Sequence, residues 1–281
     1  MLFERVAIIG IGLIGGSFAL AARAAGVVGE VIGVARTERT LLEAMHLGAV
    51  DRISDDPAQS VRGADLVFIA TPVAAIPALL GRIAPALPPG CIVTDAGSTK
   101  RMVMEAAQTL PAHADFVGGH PMAGSEQAGI AAARASLFRG HTWLLTPGRA
   151  RPEAVARLRA AIEALGARVV TVEAARHDRL VARTSHLPHV VAAALCGALG
   201  DACEEHDFIG SGLRDTTRIA AGSSEVWREI LLTNADQVLA ALEEFGAEVD
   251  RYRRALSAGD EVELTALLDA ARSCRQRMPE P

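Results

Sequence analysis

A glycine turn near the start of the chain constrains the fold more than any other feature. Its residues, Gly10 to Gly15, read Gly-Ile-Gly-Leu-Ile-Gly and follow a β-branched run, Glu4–Ile9. In such a turn the first glycine permits the tight bend, the second lets the backbone approach a pyrophosphate, and the third lets helix and strand pack closely. The helix that starts here offers free N–H groups and its dipole to phosphates. The turn predicts a dinucleotide site at Gly10, Gly12, Leu13, Ile14 and Gly15, with a purely structural turn as the alternative.

Strand and helix patterns alternate as far as residue 172, and the pattern then becomes almost wholly helical. The predicted strands are Glu4–Ile9, Glu30–Ala35, Leu66–Ala70, Cys91–Thr94, Phe116–Gly118, Thr142–Thr146 and Arg168–Val172. Alternation of this kind predicts right-handed βαβ units and a parallel sheet. The later helical patterns are Ala174–Glu205, Arg214–Ala220, Glu225–Ala255 and Asp260–Arg277. We therefore expect an α/β Rossmann-type dinucleotide-binding domain at 1–172 and an all-α domain at 173–281.

Composition narrows the possible functions. The 281 residues carry a net charge of −5 without a tract of like charge, so nucleic-acid binding has little support. The four cysteines form no C-x-x-C pair, which favours a reduced, cytoplasmic protein. The apolar stretch Leu187–Leu199 is shorter than the roughly 20 residues that a membrane span needs. The apolar run Val6–Leu20 follows Glu4 and Arg5 rather than a basic segment, so a signal peptide is disfavoured.

The end of the second predicted strand bears on the choice of dinucleotide. NAD sites usually place an acidic residue there to bind the ribose 2′-hydroxyl. This strand ends Gly33-Val34-Ala35-Arg36, and Arg39 follows shortly after. An arginine at this place accepts a 2′-phosphate, so we expect Arg36 to favour NADP, with NAD beside a solvated arginine as the alternative.

Thr71 and Pro72 end the third predicted strand. Their position predicts that they flank the nicotinamide half of the dinucleotide. The alternative is that the proline only terminates the strand, because it cannot donate to the ladder.

Four further segments carry a resemblance to a known family. They read Asp-Ala-Gly-Ser-Thr-Lys (95–100), Gly-Gly-His-Pro-Met-Ala-Gly-Ser-Glu (118–126), Ser-His-Leu-Pro-His (185–189) and Gly-Leu-Arg-Asp-Thr-Thr-Arg (212–218). With the glycine turn, and in the same order, they resemble the TyrA family of prephenate/arogenate dehydrogenases over about residues 5–235. The resemblance implies oxidative decarboxylation of a cyclohexadienol: a hydride goes to the nicotinamide, the ring carboxylate leaves as CO₂, and the ring becomes aromatic. Which of the two substrates is preferred, and whether tyrosine inhibits, stays open.

The resemblance assigns catalysis to His120 and Ser98. A neutral imidazole accepts the hydroxyl proton as the hydride leaves, which suits a group that titrates near neutrality. We place His120 in a glycine-rich loop after a strand, where a structural histidine bonded to backbone is the alternative. The family's serine at the place of Ser98 bonds the substrate hydroxyl and the histidine. Ser98 also suits a helix N-cap, since it precedes a helical run.

The resemblance assigns substrate binding mainly to the helical half. Arg218 matches the arginine that holds a substrate carboxylate, and a guanidinium fork suits that group. A surface ion pair is the alternative, and Arg214 could pair with Asp215. The family's pocket is also lined by the segment that carries Ser185 and His189, and Ser125 contacts substrate or orders the catalytic loop. The roles of Arg214, His186 and Glu126 stay open, and no metal site is expected, because no third ligand is placed beside the histidines.

The family's helical domains pair, so we expect a homodimer. Apolar residues at helical spacing support such a face: Val226, Ile230, Val238, Ala241, Leu242 and Phe245. Two other functions compete with the dehydrogenase. A β-hydroxyacid dehydrogenase or imine reductase would need a lysine in the helical half, but no lysine follows Lys100. A non-catalytic dinucleotide sensor would not need His120, Ser98 and Arg218 together.

Overall fold

A computed structural model describes residues 1–125 and 127–278 of the chain. The chain forms two compact units, one over Met1–Asn234 and one from Ala235 onward. The first unit holds the sheet and most of the helices, and the second holds the last two helices. The predicted domain boundary after residue 172, drawn from the change in pattern, stays a prediction.

The first unit is built on an eight-stranded sheet of order β3-β2-β1-β4-β5-β6-β7-β8. Its strands are β1 Phe3–Ile9, β2 Val28–Val34, β3 Arg52–Ser54, β4 Leu66–Ile69, β5 Ile92–Asp95, β6 Asp115–Pro121, β7 Thr142–Thr146 and β8 Arg168–Thr171. Strands β1 to β6 are mutually parallel. Strand β7 is antiparallel to β6, and β8 is parallel to β7.

The prediction of a parallel sheet is confirmed for β1 to β6 and is wrong for β7. A parallel pair needs a crossover, usually a helix, between its strands. Between β6 and β7 the described residues form only the short 3₁₀ turn Ile130–Ala132, and the chain returns antiparallel. Strand β3 was not predicted, since its three residues, Arg52 to Ser54, are largely exposed and carry no apolar pattern.

Twelve helices are present in the described part of the chain. The first unit contains α1 Leu13–Ala24, α2 Glu38–His46, α3 Pro57–Ser60, α4 Ile76–Ile83, α5 Arg101–Ala106, α6 Pro152–Ala164, α7 Ala174–Val181, α8 Leu187–Leu199, α9 Ser211–Thr217 and α10 Ser224–Thr233. The second unit contains α11 Ala235–Ala258 and α12 Glu261–Gln276. No helix among the described residues is both long and apolar enough to cross a bilayer.

Two long predicted helices are interrupted in the structure. The pattern Ala174–Glu205 is divided by a π-helical turn at Ala182–His186, which joins α7 to α8. The pattern Glu225–Ala255 is divided at Asn234, whose backbone leaves the helical conformation (φ −128°, ψ 28°). Polar side chains near both interruptions make hydrogen bonds that a hydrophobic pattern does not reveal.

The core lies on both faces of the sheet. Successive side chains of β1 alternate: Val6 and Ile8 pack on one face, and Ala7 and Ile9 on the other. On the first face Phe18 of α1 stacks on Phe68 at 4.3 Å between ring centroids. A sheet covered on both faces by helices, followed by helical structure, confirms the predicted fold class and brings the carboxyl ends of its parallel strands to one edge.

Candidate active site

The glycine turn lies at the carboxyl edge of the sheet, between β1 and α1. Gly10 has a positive φ of 98°, and a Cβ there would lie 2.5 Å from the carbonyl oxygen of Ala70. A Cβ on Gly15 would overlap the carbonyl oxygen of Gly10. A Cβ on Gly12, by contrast, would meet nothing within 4 Å, and no side chain caps the start of α1 at Leu13. Gly10 and Gly15 are thus required by close packing, whereas Gly12 borders open space beside uncapped helix N–H groups, as a pyrophosphate needs.

The next two strand ends complete this edge. Arg36 and Arg39 follow β2, are exposed, and make no ion pair with the described residues. Between them Thr37 caps α2, its Oγ1 accepting the Thr40 N–H at 3.3 Å. Thr71 and Pro72 follow β4, with Thr71 half-buried and Pro72 exposed.

His120 lies within strand β6, opposite Leu144 of β7, and not in the glycine-rich loop where the sequence placed it. Its side chain is buried, and its Nδ1 lies 2.9 Å from Nε2 of His177. Burial lowers the pKa of His120 well below its usual value, and His177, Lys100 and His186 lower it further. The expected titration near neutrality is therefore wrong for the folded protein, in which His120 is neutral through the physiological range.

His177 and Asp178 extend this contact into a chain. His177 Nδ1 lies 2.8 Å from Asp178 Oδ1, and both side chains are fully buried. Asp178 also accepts the backbone N–H groups of Lys100 at 2.7 Å and Arg101 at 2.9 Å. Burial raises the pKa of Asp178, but the hydrogen bonds from His177 and from these two N–H groups outweigh it and hold the pKa below its usual range. Asp178 is therefore an ionised carboxylate in the folded protein.

A buried ion pair borders the same histidine. Lys100 and Asp95 pair with both side chains almost wholly excluded from solvent. Asp95 also accepts the N–H of Gly119, the residue before His120, at 3.0 Å and that of Gly97 at 2.8 Å. Asp95 at the end of β5 thus fixes the backbone of β6 beside His120. Lys100 is the only lysine among the 28 lysine and arginine residues of the chain.

Ser98 lies between β5 and α5 and is half-buried. The structure contradicts its alternative role as a helix cap: α5 starts at Arg101, Lys100 occupies the N-cap position, and no side chain of the preceding turn caps it. The first N–H groups are instead taken by Asp178, 78 residues away from Lys100 in sequence. The hydroxyl of Ser98 makes no hydrogen bond to the described residues, so it is available to a ligand.

On the helical side, His189 of α8 stacks on Trp227 of α10 with ring centroids 3.6 Å apart and planes at 11°. Its Nδ1 is buried without a hydrogen-bond partner among the described residues, and burial lowers its pKa. Gly222 permits the stack, because a Cβ there would lie 2.6 Å from Nε1 of Trp227. Ser185 is half-buried in the π-helical turn.

His186, whose role the sequence left open, is 1% exposed, and its Nδ1 lies 3.3 Å from Nδ2 of Asn234. Burial lowers the pKa of His186 to about 4. Asn234 Nδ2 also donates to the backbone oxygen of Asp178 at 2.8 Å. His186 is therefore a neutral core histidine attached to the His177–Asp178 segment.

Arg218 and Arg214 are exposed, and neither forms an ion pair within the described part of the chain. The alternative of a surface ion pair within this chain, including one between Arg214 and Asp215, is thus not observed. Ser125 accepts the N–H of Gln127 at 3.2 Å. Glu126 lies outside the described residues.

The structure brings some predicted residues together and leaves others apart. His120 joins a buried polar network with His177, Asp178 and Lys100, which sequence reasoning did not single out. Within the part of the chain that the structure describes, no hydrogen bond or ion pair connects Ser98, Ser185 or Arg218 to that network. One signal could have found the missing pair: His177 and Asp178 lie four residues before the buried apolar Val181 and Ala182, and so on the same helix face.

Comparison with known proteins shows which family this chain resembles. The family model of the prephenate dehydrogenase nucleotide-binding domain matches residues 18–171, and that of the prephenate dehydrogenase dimerization domain matches residues 173–270. Prephenate dehydrogenase of Bacillus subtilis is 35% identical over 283 residues, which cover 98% of this chain and 76% of that protein.

Two solved structures are similar over nearly their whole length. The arogenate dehydrogenase of Synechocystis superposes with a TM-score of 0.85 at 33% identity and covers 98% of this chain and 99% of its own. The prephenate dehydrogenase of Aquifex aeolicus, in complex with hydroxyphenyl propionate and NAD⁺, superposes with a TM-score of 0.89 at 28% identity and covers 98% of both chains.

Proposed function

This chain belongs to the prephenate dehydrogenase family, and from that premise we propose that it oxidatively decarboxylates prephenate, arogenate or both, with His120 as the base. The observation that carries the proposal is the 2.9 Å contact between Nδ1 of His120 and Nε2 of His177, which leaves Nε2 of a buried, neutral His120 imidazole for the substrate. A general base needs a lone pair of this kind next to the proton that it abstracts.

The dinucleotide would lie over the glycine turn. Gly12 and the uncapped N–H groups at Leu13 and Ile14 suit the pyrophosphate, while Gly10 and Gly15 hold the turn in shape. Thr71 and Pro72, at the adjacent strand end, would flank the nicotinamide half. When bound, the oxidised nicotinamide accepts a hydride from the ring carbon that bears the substrate hydroxyl.

We assign NADP as the preferred dinucleotide because of Arg36. Its guanidinium is exposed and unpaired among the described residues, at the place where NAD sites carry an acid. The neighbouring Arg39 adds positive charge at the start of α2. A 2′-phosphate would bind both groups with charge-assisted hydrogen bonds, which NAD lacks.

The chain's own residues would then accept and return one proton and bind one of the two substrate carboxylates. Nε2 of His120 accepts the hydroxyl proton, and the hydroxyl of Ser98 bonds the same oxygen. Loss of CO₂ converts the ring to a phenolate, which takes the proton back from His120, so the complete reaction releases no proton. Arg218 binds the side-chain carboxylate, which survives the reaction, since tight binding of the leaving carboxylate would oppose its loss. His189, Ser185 and Ser125 line the rest of the pocket.

We also propose a cytoplasmic homodimer formed through the helical half. In the first unit Val226 and Leu232 of α10 are 55% and 70% exposed. In the second unit Leu239, Phe245, Val249 and Leu256 of α11 are exposed as well. Of the predicted face, Ile230, Val238 and Ala241 are already buried within one chain, so the exposed residues would supply the contact.

A two-by-two assay tests the function. Purified protein is incubated with prephenate or arogenate, each with NAD⁺ and NADP⁺, and formation of the reduced dinucleotide is followed at 340 nm. We expect turnover of at least one substrate, and faster turnover with NADP⁺ than with NAD⁺. Absence of turnover in all four combinations, by protein that binds the dinucleotide, would contradict the proposed reaction.

A further inference from the structure

The contacts from His120 to His177 and from His177 to Asp178 determine which ring nitrogens carry protons. Three side chains from two elements form an unbroken hydrogen-bonded line: His120 in β6, then His177 and Asp178 in α7. Their exposed fractions are 9%, 1% and 0%. A buried polar line is stable only if every donor meets an acceptor, so the position of each proton in it is determined.

The carboxylate at the inner end sets the direction of the line. An ionised carboxylate only accepts hydrogen bonds, so Nδ1 of His177 must carry a proton and donate it to Asp178 Oδ1. In the tautomer that this bond favours, Nε2 of His177 is bare and accepts the Nδ1 proton of His120. Neutral His120 is left with a bare Nε2. One carboxylate thus selects the tautomers of two histidines.

The carboxylate is itself held from several sides. The N–H groups of Lys100 and Arg101 donate to Asp178, as does the guanidinium Nε of Arg101 at 3.3 Å. Asn234 donates to its backbone oxygen. These bonds leave the carboxylate one orientation, and so give the ring of His177 one orientation as well.

From this geometry we propose that His177 and Asp178 are positioning residues that keep His120 in the tautomer with a bare Nε2 and share the proton that His120 takes up. The inference rests on the proposed role of His120 as the base. It adds two residues to the reaction that do not touch the substrate.

The sharing step balances without any further reactant. His120 Nε2 gains the hydroxyl proton, and the Nδ1 proton of His120 moves to Nε2 of His177. The positive charge then lies on His177, beside the negative charge of Asp178, rather than in an uncompensated buried ring. Both protons move back when the phenolate forms. Since the reaction releases no net proton, a line that is closed to solvent is sufficient.

The charged groups around His120 disfavour a positive charge on its ring, so the proton that it takes up must be shared with His177. Lys100 and His186, from the segments before α5 and α8, both disfavour a charge on His120, while Asp95 partly compensates Lys100. Asp178 is the acid that faces the line directly. A cation on His120 alone would therefore be repelled by Lys100, whereas one on His177 meets Asp178.

The test combines kinetics with ¹⁵N NMR of the histidine rings. The variant Asp178→Asn keeps an oxygen acceptor for the backbone N–H groups but removes the charge that selects the tautomers. We expect kcat to fall roughly 10²–10⁴-fold with KM changed about threefold at most, as expected when the orienting acid of a catalytic histidine is removed. We also expect the His120 ring to change from a single tautomer, bare at Nε2, to a mixture.

One further variant provides a second test of the positioning role, and another serves as the control. His177→Phe keeps a planar ring without nitrogen atoms and should give the same two changes if Asp178→Asn fails to fold. Asp115→Asn is the matched control, because Asp115 is a buried, ion-paired carboxylate at the other end of the same strand as His120. It should lower thermal stability without altering the His120 tautomer or kcat.

The outcomes separate the inference from the proposed function. A folded Asp178→Asn or His177→Phe variant with an unchanged His120 tautomer, or with kcat within threefold of wild type, would overturn the inference. Failure of the wild type to turn over either substrate would contradict the proposed function alone, since the tautomer is measured without substrate.

Discussion

At the scale of single residues, burial decides the chemistry. His120 is an ordinary imidazole whose pKa is lowered by its burial and by His177, Lys100 and His186. Arg218 is the opposite case: it is an exposed guanidinium that is unpaired among the described residues. The proposed site thus combines a neutral acceptor for a proton with a permanent cation for an anion.

The variant His120→Asn should lower kcat by roughly 10²–10⁴ while dinucleotide binding is kept, because it removes only the proton acceptor. The exposed His46 at the end of α2 offers the control His46→Asn, which should leave kcat unchanged. In wild type, kcat/KM should be flat through neutrality and fall only well below pH 6.5, because the pKa of His120 is lowered well below its usual value. Stopped assays from pH 5 to 9 measure this, and a near-normal kcat for His120→Asn would exclude it as the base.

The variant Arg218→Ala should raise KM much more than it lowers kcat, because binding of a carboxylate that persists through the reaction is uniform. Loss of one charge-assisted bond costs about 1.5–3 kcal/mol, or roughly 10–150-fold in kcat/KM. Arg218→Lys should recover part of this, since it keeps the charge and loses the fork. Arg228→Ala, on the exposed side of α10, is the control. A large fall in kcat at constant KM would assign Arg218 to the leaving carboxylate instead.

At the scale of secondary-structure elements, the site is made of strand ends. Strands β1, β2 and β4 end shortly before the glycine turn, Arg36 and Thr71, and β5 ends at Asp95. Strand β6, next to β5 in the sheet, carries His120. Parallel strands whose connections lie on both faces place all these residues at one edge. The edge therefore divides into the proposed dinucleotide half and the proposed catalytic half in the order of the strands.

The variant Arg36→Ala tests the turn between β2 and α2. It should raise KM for NADP⁺ by roughly 10-fold or more and leave KM for NAD⁺ within about twofold, because only NADP carries the 2′-phosphate. Arg62→Ala removes another exposed arginine, away from this turn, and should change neither constant. Equal effects of Arg36→Ala on both dinucleotides would remove Arg36 from the phosphate site.

Local patterns predicted the elements better than their pairing. The glycine turn, β1 and α1 follow from contiguous residues, so the fold class was predictable. The direction of β7 and the pairing of the short strand β3 depend on contacts between distant residues, which no local pattern contains. The same holds at the site: His120 and Ser98 lie in motifs, whereas His177 meets His120 across 57 residues of sequence.

At the scale of the whole molecule, hydrogen bonds as well as apolar contacts connect the helices of the first unit to the segments at its sheet. Asp178 of α7 bonds the start of α5, and Thr99 donates to Thr233 of α10 at 3.0 Å. The sheet and these helical segments of the first unit are therefore expected to unfold together.

The free energy of unfolding should fall as the pH drops from about 6.5 to about 4. His186 has a pKa of about 4 when folded, and that of His120 is also lowered, so the unfolded chain binds more protons in this window. Stability therefore rises with pH there and is complete above pH 6.5. The lowered pKa of His186 accounts for a loss on the order of 3 kcal/mol in the free energy of unfolding across this window. Urea titrations at pH 4.5 to 7.5 measure the slope, which His186→Gln should reduce; a slope of the opposite sign would contradict it.

Light scattering at micromolar concentration should give about twice the 29.3 kDa mass of one chain. The exposed apolar side chains of α10 and α11 are the physical reason, since such a surface is normally covered by a partner. Leu232→Glu, on α10, should shift the mass toward one chain, while Leu42→Glu, an exposed apolar site on α2, should not. A monomeric wild type would contradict the dimer.

The single lysine determines how this protein reacts with reagents that modify amines. All other members of the lysine and arginine set are arginines, and the one side-chain amine, Lys100, is buried against Asp95. Acylating reagents and aldehydes used for labelling or immobilisation therefore find no side-chain amine on the surface of the folded protein. Modification of Lys100 would require the site to open, so its acylation rate, read by mass spectrometry of a single peptide, measures how often that opening occurs.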